Sequence, residues 1–202
     1  MSATSERSMI DPSGDHISVR RFGDASQRAR PLVLVHGTAF VADVWEPVAE
    51  RLCQTRAVYA IDRRAHGRSF VPPLDRLHFA DFASDLVRVI DALGLEDAIE
   101  VGHSAGATDI LLSATQRPRQ LAGIFAMEPT AMDADGNAPS EPETYAPAVG
   151  ALARDFIEQT RRRRAELPDA RHIRERYRKA PVFASWTERS LDRYSRGGHG
   201  AE

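Results

Sequence analysis

A serine stands between two glycines near the middle of the chain, in the pentapeptide Gly102-His103-Ser104-Ala105-Gly106. The apolar run 98–101 precedes it and a helix-forming stretch follows it, which predicts a sharp strand-to-helix turn with an exposed serine hydroxyl. Glycines two residues before and two after the serine leave room for neighbouring backbone. The pattern predicts a nucleophile elbow with Ser104 as the nucleophile; the alternative is a chance match in an ordinary turn between a strand and a helix.

The elements around this pentapeptide alternate between strand-length apolar runs and amphipathic helical stretches. Residues 1–9 are polar and are expected to be a frayed leader before an early hairpin. The predicted strands are 16–22, 31–36, 57–61, 98–101 and 121–127, and the predicted helices are 42–51, 79–93 and 108–115. This alternation predicts an α/β fold with a mostly parallel sheet and helices on both faces, because crossovers between parallel strands are right-handed and short.

The sequence changes character after Pro129. Prolines and glycines between residues 130 and 147 predict a loop, and from Val149 onward the pattern is helical and strongly charged. We therefore divide the chain into a core over residues 1–138 and a helical segment over residues 139–202. The apolar side chains expected to form the inner face of that segment are Phe156, Ile157, Tyr177, Val182, Phe183, Trp186, Leu191 and Tyr194.

Composition narrows the classes of function. The chain has 202 residues, 42% of them hydrophobic, a formal net charge of -2 and a single cysteine, Cys53. These values predict a globular chain with no intramolecular disulfide, no nucleic-acid partner and no membrane span, and a cytoplasmic location is the default expectation. The arginine-rich stretch 161–164 is interleaved with acidic residues nearby, which favours a solvated surface over a phosphate-binding one. No glycine-rich phosphate loop or metal-ligand cluster is present in the sequence, so we expect no cofactor and no metal.

Three motifs in one order carry a family resemblance. His36-Gly37-Thr38 follows the second predicted strand, the segment 62–69 (DRRAHGRS) follows the third, and the serine pentapeptide follows the fourth. Over residues 10–129 the chain resembles the α/β-hydrolase fold, and residues 139–202 resemble the helical cap that many members place over the active site. Relatives usually have glycine at the position of Ala65. The alanine found here suggests that this position does not need a positive φ.

The resemblance implies further roles near the serine. Two backbone N–H groups, those of Thr38 and Ala105, would form the oxyanion hole. Glu128, at the end of the strand after the elbow, would be the catalytic acid. The alternatives are that the motif containing Thr38 is simply a tight turn, and that Glu128 only caps a loop because the acid stands one strand later in other members.

The catalytic base is the missing part. Members of the family place a histidine after the last strand, in the chain order serine, acid, histidine, and only one predicted strand follows the elbow. The chain is therefore expected to stop inside or just after the cap. None of the seven histidines is in the expected position; the resemblance gives His36 and His103 structural roles, and His199 lies in the tail.

Two hypotheses follow for function. The first is a serine hydrolase that acts on a small hydrophobic ester or similar carbonyl compound, with activity impaired because no catalytic histidine is in place. The second is a non-catalytic or truncated hydrolase-like protein that binds a ligand or partner. In either case the strand 121–127 would be an apolar sheet edge, which predicts self-association.

Overall fold

The computed structural model describes residues 5–11, 14–117, 121–130, 158 and 169–197. Its strands are β1 (Ser5–Ile10), β2 (Ile17–Phe22), β3 (Leu32–Val35), β4 (Val58–Ile61), β5 (Ala98–His103) and β6 (Leu121–Met127). Its α-helices are α1 (Glu46–Leu52), α2 (Phe79–Ala92), α3 (Ala105–Gln116), α4 (Ala170–Arg178) and α5 (Glu188–Gly197), and short 3₁₀ turns span Ala42–Trp45, Leu74–Arg76 and Pro181–Phe183.

The six strands form one sheet in the order β1-β2-β4-β3-β5-β6. The pairs β1–β2 and β2–β4 are antiparallel, and the pairs β4–β3, β3–β5 and β5–β6 are parallel. The mostly parallel sheet predicted from the sequence is therefore confirmed. The carboxyl ends of β3, β4, β5 and β6 meet at one edge of the sheet, where ligands bind in open α/β folds.

Helices cover both faces of the sheet, and β3 shows why its sequence is apolar throughout. Side chains alternate between the two faces of a strand. Val33 and Val35 belong to a buried cluster that contains side chains of α2 and α3. Leu32 and Leu34 belong to a second cluster that contains Ala49 of α1. A strand buried on both faces needs an apolar residue at every position.

The prediction of a frayed leader over residues 1–9 is wrong for residues 5–9, which belong to the edge strand β1. Its backbone pairs with β2 from Ser5↔Phe22 to Ile10↔Ile17. Arg7 supplies side-chain contacts that an apolar pattern would not reveal: its Nη1 donates to Ser18 Oγ at 2.8 Å and to Asp62 at 2.9 Å. The ion pair between Arg7 and the loop after β4 therefore helps to hold β1 on the sheet, where little hydrophobic surface is buried.

Helix α5 and the turn before it lie against the amino-terminal half of the core, and α4 packs on α5 through the contact of Tyr177 with Tyr194. The Tyr194 hydroxyl donates to the carbonyl of Ala39 at 3.0 Å, and Trp186 stacks on Phe40 with ring centroids 5.8 Å apart. Arg193 pairs with the buried Glu46 at 2.6 Å. The aromatic part of the predicted inner face thus packs next to the turn after β3. Phe156, Ile157 and the stretch 161–164 lie outside the described residues.

Strand β6 is the last strand at its side of the described sheet. It pairs with β5 along one edge, and no other described strand pairs with its outer edge. Phe125 is 61% exposed and Ile124 is 38% exposed. The predicted apolar sheet edge is therefore present in the described part of the chain.

Candidate active site

Ser104 joins β5 to α3 and has a backbone conformation that L-residues rarely adopt. Its φ is 53° and its ψ is -122°. Its N–H donates to the carbonyl of Met127 at 2.9 Å, and its carbonyl accepts from the N–H of Ala107 at 2.9 Å. Such a conformation costs about 1–3 kcal/mol and persists only where the surroundings fix it. The strand before, the helix after and the strain on the serine match the predicted elbow.

The two glycines of the pentapeptide are required by close backbone contacts. A Cβ added to Gly102 would lie 2.5 Å from the carbonyl oxygen of Gly106. A Cβ added to Gly106 would lie 2.5 Å from the carbonyl oxygens of Val35 and His36. The start of α3 therefore packs directly on the end of β3, at a distance that no side chain permits.

The two residues predicted to supply the oxyanion donors line one cavity. Thr38 and Ala105 line a space of about 240 Å³ whose apolar wall includes Phe79 and Phe82. Ala105 is the first residue of α3, and the first N–H groups of a helix have no acceptor within the helix. The structure thus places Thr38 and Ala105 on the wall of one cavity, and Ala105 is the residue that follows Ser104.

Two neutral histidines fix the turns around this cavity. His36 accepts the Arg63 N–H at Nε2 (3.1 Å), so its proton is on Nδ1, which donates to the Gly37 carbonyl at 2.8 Å. His66 accepts the Ala39 N–H at Nε2 at 3.1 Å, and its Nδ1 lies 2.8 Å from a carbonyl of its own turn. Burial lowers the pKa of His36 well below its usual value and that of His66 to about 4. Both rings therefore hold backbone rather than accept protons.

The turn after β4 corrects one inference from the sequence. Ala65 has a φ of 58°, so this position does need the left-handed conformation that the glycine of relatives would adopt freely. Alanine accepts that conformation at a cost of about 1–2 kcal/mol. The Ala65 N–H donates to the Phe70 carbonyl at 2.8 Å, which helps to hold the turn in place.

Glu128, the predicted acid, lies near His103. It follows β6 with a φ of 49°, and its side chain is 89% exposed, with Oε2 4.0 Å from His103 Nε2. His103 lines a second cavity, of about 250 Å³, together with Phe40, Trp45 and other residues. The sequence analysis did not bring His103 and Glu128 together. The parallel pairing of β5 with β6 brings them together, because it puts His103 opposite Met127, the residue before Glu128.

A model of the α/β-hydrolase fold matches residues 30–198, which is more than half of the chain. The chain belongs to the α/β-hydrolase fold family. The resemblance based on three motifs is thereby confirmed.

The curated relatives of this chain include proteins named as hydrolases and others named as non-heme haloperoxidases or chloroperoxidases. A protein named as a carbamate hydrolase, RutD, from Caulobacter vibrioides is 42% identical over 82 residues, which are 40% of this chain and 30% of the relative. A 2-(acetamidomethylene)succinate hydrolase from Mesorhizobium japonicum is 32% identical over 126 residues, which are 58% of this chain and 45% of the relative. The matched stretches thus span less than half the length of these relatives.

Solved structures support the same fold. An E-2-(acetamidomethylene)succinate hydrolase superposes with a TM-score of 0.73 and 21% identity over 96% of this chain and 65% of the other. The thioesterase domain from the curacin biosynthetic pathway superposes with a TM-score of 0.72 and 23% identity, over 95% of this chain and 67% of that domain. At these identities the likeness concerns the α/β-hydrolase fold alone.

Two buried ion pairs hold the loop after β4 of this α/β-hydrolase, and the sequence analysis missed both. Arg63 Nε contacts Asp109 of α3 at 2.5 Å. Arg64 makes a bidentate pair with Asp85 of α2, at 2.6 and 2.8 Å. Asp85 is buried, with only 5% of its surface exposed. The loop that carries Ala65 and His66 is thus fixed to both helices of that face.

Two further histidines lie away from the elbow. His172 is exposed on α4, and His199 falls outside the described residues.

Among residues 5–11, 14–117, 121–130, 158 and 169–197, no group of three or more His, Cys, Asp or Glu side chains could hold a metal ion. None of the helices that the structure describes is long and apolar enough to cross a bilayer.

Glu100, on the strand that leads to Ser104, should make stability depend on pH. It is fully buried, its Oε2 accepts from the Ser113 hydroxyl at 2.9 Å, and burial raises its pKa from 4.5 to about 7. The folded state therefore binds the proton more tightly than the unfolded state. The contribution of protonated Glu100 to the free energy of unfolding is fully present below the pKa of the unfolded state. It is lost as the pH rises through the pKa of the folded state, and the loss reaches up to about 3 kcal/mol.

We expect Glu100→Gln to remove this loss, since an amide does not titrate in this range. Urea unfolding at several pH values between about 5 and 9 should show a flatter profile for the variant, and the gap to the parent should widen as the buried carboxyl ionises. The matched control is Glu96→Gln, at an exposed position just before the same strand. Parallel profiles for parent and Glu100→Gln would contradict the assignment.

Proposed function

We propose that this α/β-hydrolase cleaves a small hydrophobic ester or similar carbonyl compound with Ser104 as the nucleophile. One observation carries the proposal: a strained serine with a φ of 53° stands next to a cavity that Thr38 and Ala105 both line. Strain at a catalytic turn and preformed N–H donors are the two features that acyl transfer needs before substrate binds.

The proposed chemistry begins with attack of Ser104 Oγ on the substrate carbonyl carbon. The Thr38 and Ala105 N–H groups stabilise the negative charge that develops on the carbonyl oxygen. Collapse of the tetrahedral intermediate expels the leaving group and leaves an acyl-serine, which water then hydrolyses. Glu128, at the end of the neighbouring strand and 4.0 Å from His103, is the proposed catalytic acid.

Two cavities support a substrate with apolar groups on both sides of the carbonyl. Ala105 lines the cavity with Phe79 and Phe82, whereas His103 lines the cavity with Phe40 and Trp186 of the proposed cap. Ser104 stands between these two lining residues in the chain. Aromatic walls favour apolar acyl and alcohol groups. The relatives' names, a carbamate hydrolase and a 2-(acetamidomethylene)succinate hydrolase, favour testing carbonyls bonded to nitrogen as well.

The test is covalent labelling of the serine. A fluorescent alkyl phosphonate should label the purified chain, and Ser104→Ala should remove the label and the hydrolysis of short nitrophenyl esters. Because oxyanion stabilisation and substrate binding alone sustain slow catalysis, slow turnover still supports the proposal. The control is Ser84→Ala, on an exposed position of α2. Equal labelling of the parent and of Ser104→Ala would contradict the proposal that Ser104 is the nucleophile.

The exposed edge of β6 favours a second candidate function, in which the chain binds a partner through the sheet. Phe125 and Ile124 are exposed on this strand, and an apolar strand with an open edge pairs readily with another strand. We expect the parent chain to show concentration-dependent association in light scattering, and Phe125→Lys to reduce it, because a charge on an edge strand opposes pairing. A monomeric parent would remove this candidate.

A further inference from the structure

We propose that Tyr194 on α5 is a positioning residue for catalysis, which holds the turn 37–40 and so places the Thr38 N–H for oxyanion binding. This inference deepens the proposed hydrolase and rests on it. It gives the C-terminal segment a part in catalysis, in addition to the cavity wall that Trp186 supplies.

The turn 37–40 is strained at the residue that follows Thr38. The Phe40 N–H donates to the Gly37 carbonyl at 3.2 Å, which closes a four-residue turn. Ala39, at the third position of this turn, has a φ of 67°. A positive φ at that position favours glycine, and an alanine adopts it only at a cost in free energy. The turn therefore keeps this conformation because contacts from elsewhere in the chain hold it.

Two hydrogen bonds hold Ala39, one on each side of its Cα. Its N–H donates to His66 Nε2 at 3.1 Å, and its carbonyl accepts from the Tyr194 hydroxyl at 3.0 Å. Since the torsions φ and ψ lie between these two groups, holding both groups fixes the backbone at Ala39. His66 belongs to the loop after β4, whereas Tyr194 lies 155 positions further along the chain than Ala39. The second bond therefore exists only when α5 is docked on the core.

Aromatic packing gives the Tyr194 hydroxyl a defined position. Tyr194 is buried, and its ring centroid lies 5.2 Å from that of Phe40 and 5.6 Å from that of Phe183. Rings at these separations are in contact. Tyr194 is absent from the walls of both cavities at the site. Its effect on catalysis therefore passes through the backbone of the turn 37–40 rather than through substrate.

Loss of the Tyr194 hydrogen bond would let Ala39 relax toward a negative φ. Because the Phe40 ring stays stacked on Trp186, the peptide between Thr38 and Ala39 is the part that would move. Rates are sensitive to small displacements of groups that act on the reacting atoms. An oxyanion donor acts on charge that develops in the transition state, so the loss should appear in kcat and leave KM unchanged.

The experiment compares Tyr194→Phe with the parent in nitrophenyl ester hydrolysis. The substitution removes the hydroxyl and keeps the ring, so the aromatic packing is retained. We expect kcat to fall about 5- to 10-fold, the effect of one lost hydrogen bond, with KM unchanged. The matched control is Tyr177→Phe. The Tyr177 ring contacts that of Tyr194 at 5.2 Å, but its hydroxyl makes no hydrogen bond to any residue that the structure describes, so kcat should stay at the parental value.

Ala39→Gly, made in the parent and in Tyr194→Phe, tests the cause. Glycine adopts a positive φ without the cost that alanine carries, so a turn with glycine needs less support from Tyr194. We expect Tyr194→Phe to lower kcat about 2-fold or less in the Ala39→Gly background, because the two residues act on the same torsion. An equal fall in both backgrounds would overturn the inference.

The outcomes separate the two proposals. If the parent shows no Ser104-dependent labelling or hydrolysis, both proposals fall. If Ser104-dependent hydrolysis is present and Tyr194→Phe keeps the parental kcat, loses no more than Tyr177→Phe, or changes KM alone, the role of Tyr194 is wrong and the hydrolase proposal stands. A fall in kcat that is specific to Tyr194→Phe and smaller with glycine at position 39 supports the inference.

Discussion

Replacing Gly106 with alanine is expected to destroy the elbow. The added Cβ would lie 2.5 Å from the carbonyl oxygens of Val35 and His36, so either α3 or the end of β3 must move. Overpacking of this kind costs about 3 kcal/mol, and a displacement of about 1 Å at a reactive group reduces rates about 100-fold. We therefore expect lower stability in urea unfolding and a strong loss of phosphonate labelling at Ser104.

The matched control is Gly123→Ala, in the strand next to the elbow. A Cβ added to Gly123 meets nothing within 4 Å, so this variant should label and unfold like the parent. If Gly106→Ala labels as fast as Gly123→Ala, the contact between α3 and β3 does not position the serine.

Replacing Arg64 with methionine is the second large expected effect. Arg64 is 2% exposed, and its loss would leave Asp85 buried beside an apolar side chain. Removal of one partner from a buried pair costs about 3–5 kcal/mol. Arg88 also contacts Asp85, so we expect a loss near the lower end, about 3 kcal/mol. Urea unfolding measures it, and a lower rate of Ser104 labelling should accompany it.

The double variant Arg64→Met/Asp85→Leu tests the cause. Since it removes both charges, it should recover most of the stability that Arg64→Met loses. Arg171→Met provides the exposed comparison, because Arg171 and its partner Glu175 on α4 are 89% and 57% exposed and such pairs contribute little. No recovery in the double variant would mean that Arg64 acts through packing rather than charge.

The sequence predicted those parts of the fold that apolar patterning determines. Strands β3 and β4 are apolar at every position because both of their faces are covered, and their pattern admits few alternatives. The elbow was predictable for another reason. Gly102 and Gly106 stand where two backbone segments lie in direct contact. Only glycine, which has no Cβ, fits at such a contact. The assignment of Thr38 and Ala105 as oxyanion donors came from the family resemblance and stays a prediction.

The remaining features depend on long-range polar contacts that have no local pattern. Arg63 and Asp109 are far apart in the chain, and nothing near either residue shows that their charges meet in the interior. Strand β1 was missed because its sequence, SERSMI, has no apolar alternation, and polar contacts such as that of Arg7 with Asp62 hold it in place instead. The approach of Glu128 to His103 required the register between β5 and β6, which the sequence does not specify.

The contact between Gly106 and the end of β3 also bears on the order of folding. Gly106 meets Val35 and His36, from a part of the chain that is distant in sequence, and contacts between distant segments form slowly because a long loop must close first. Ser104 can hold its unusual φ only after that closure, since the surroundings that fix it include the contact of Gly106 with β3 and the hydrogen bond from the Ser104 N–H to Met127 on β6. The reactive serine should therefore be among the last parts of the core to become native during refolding.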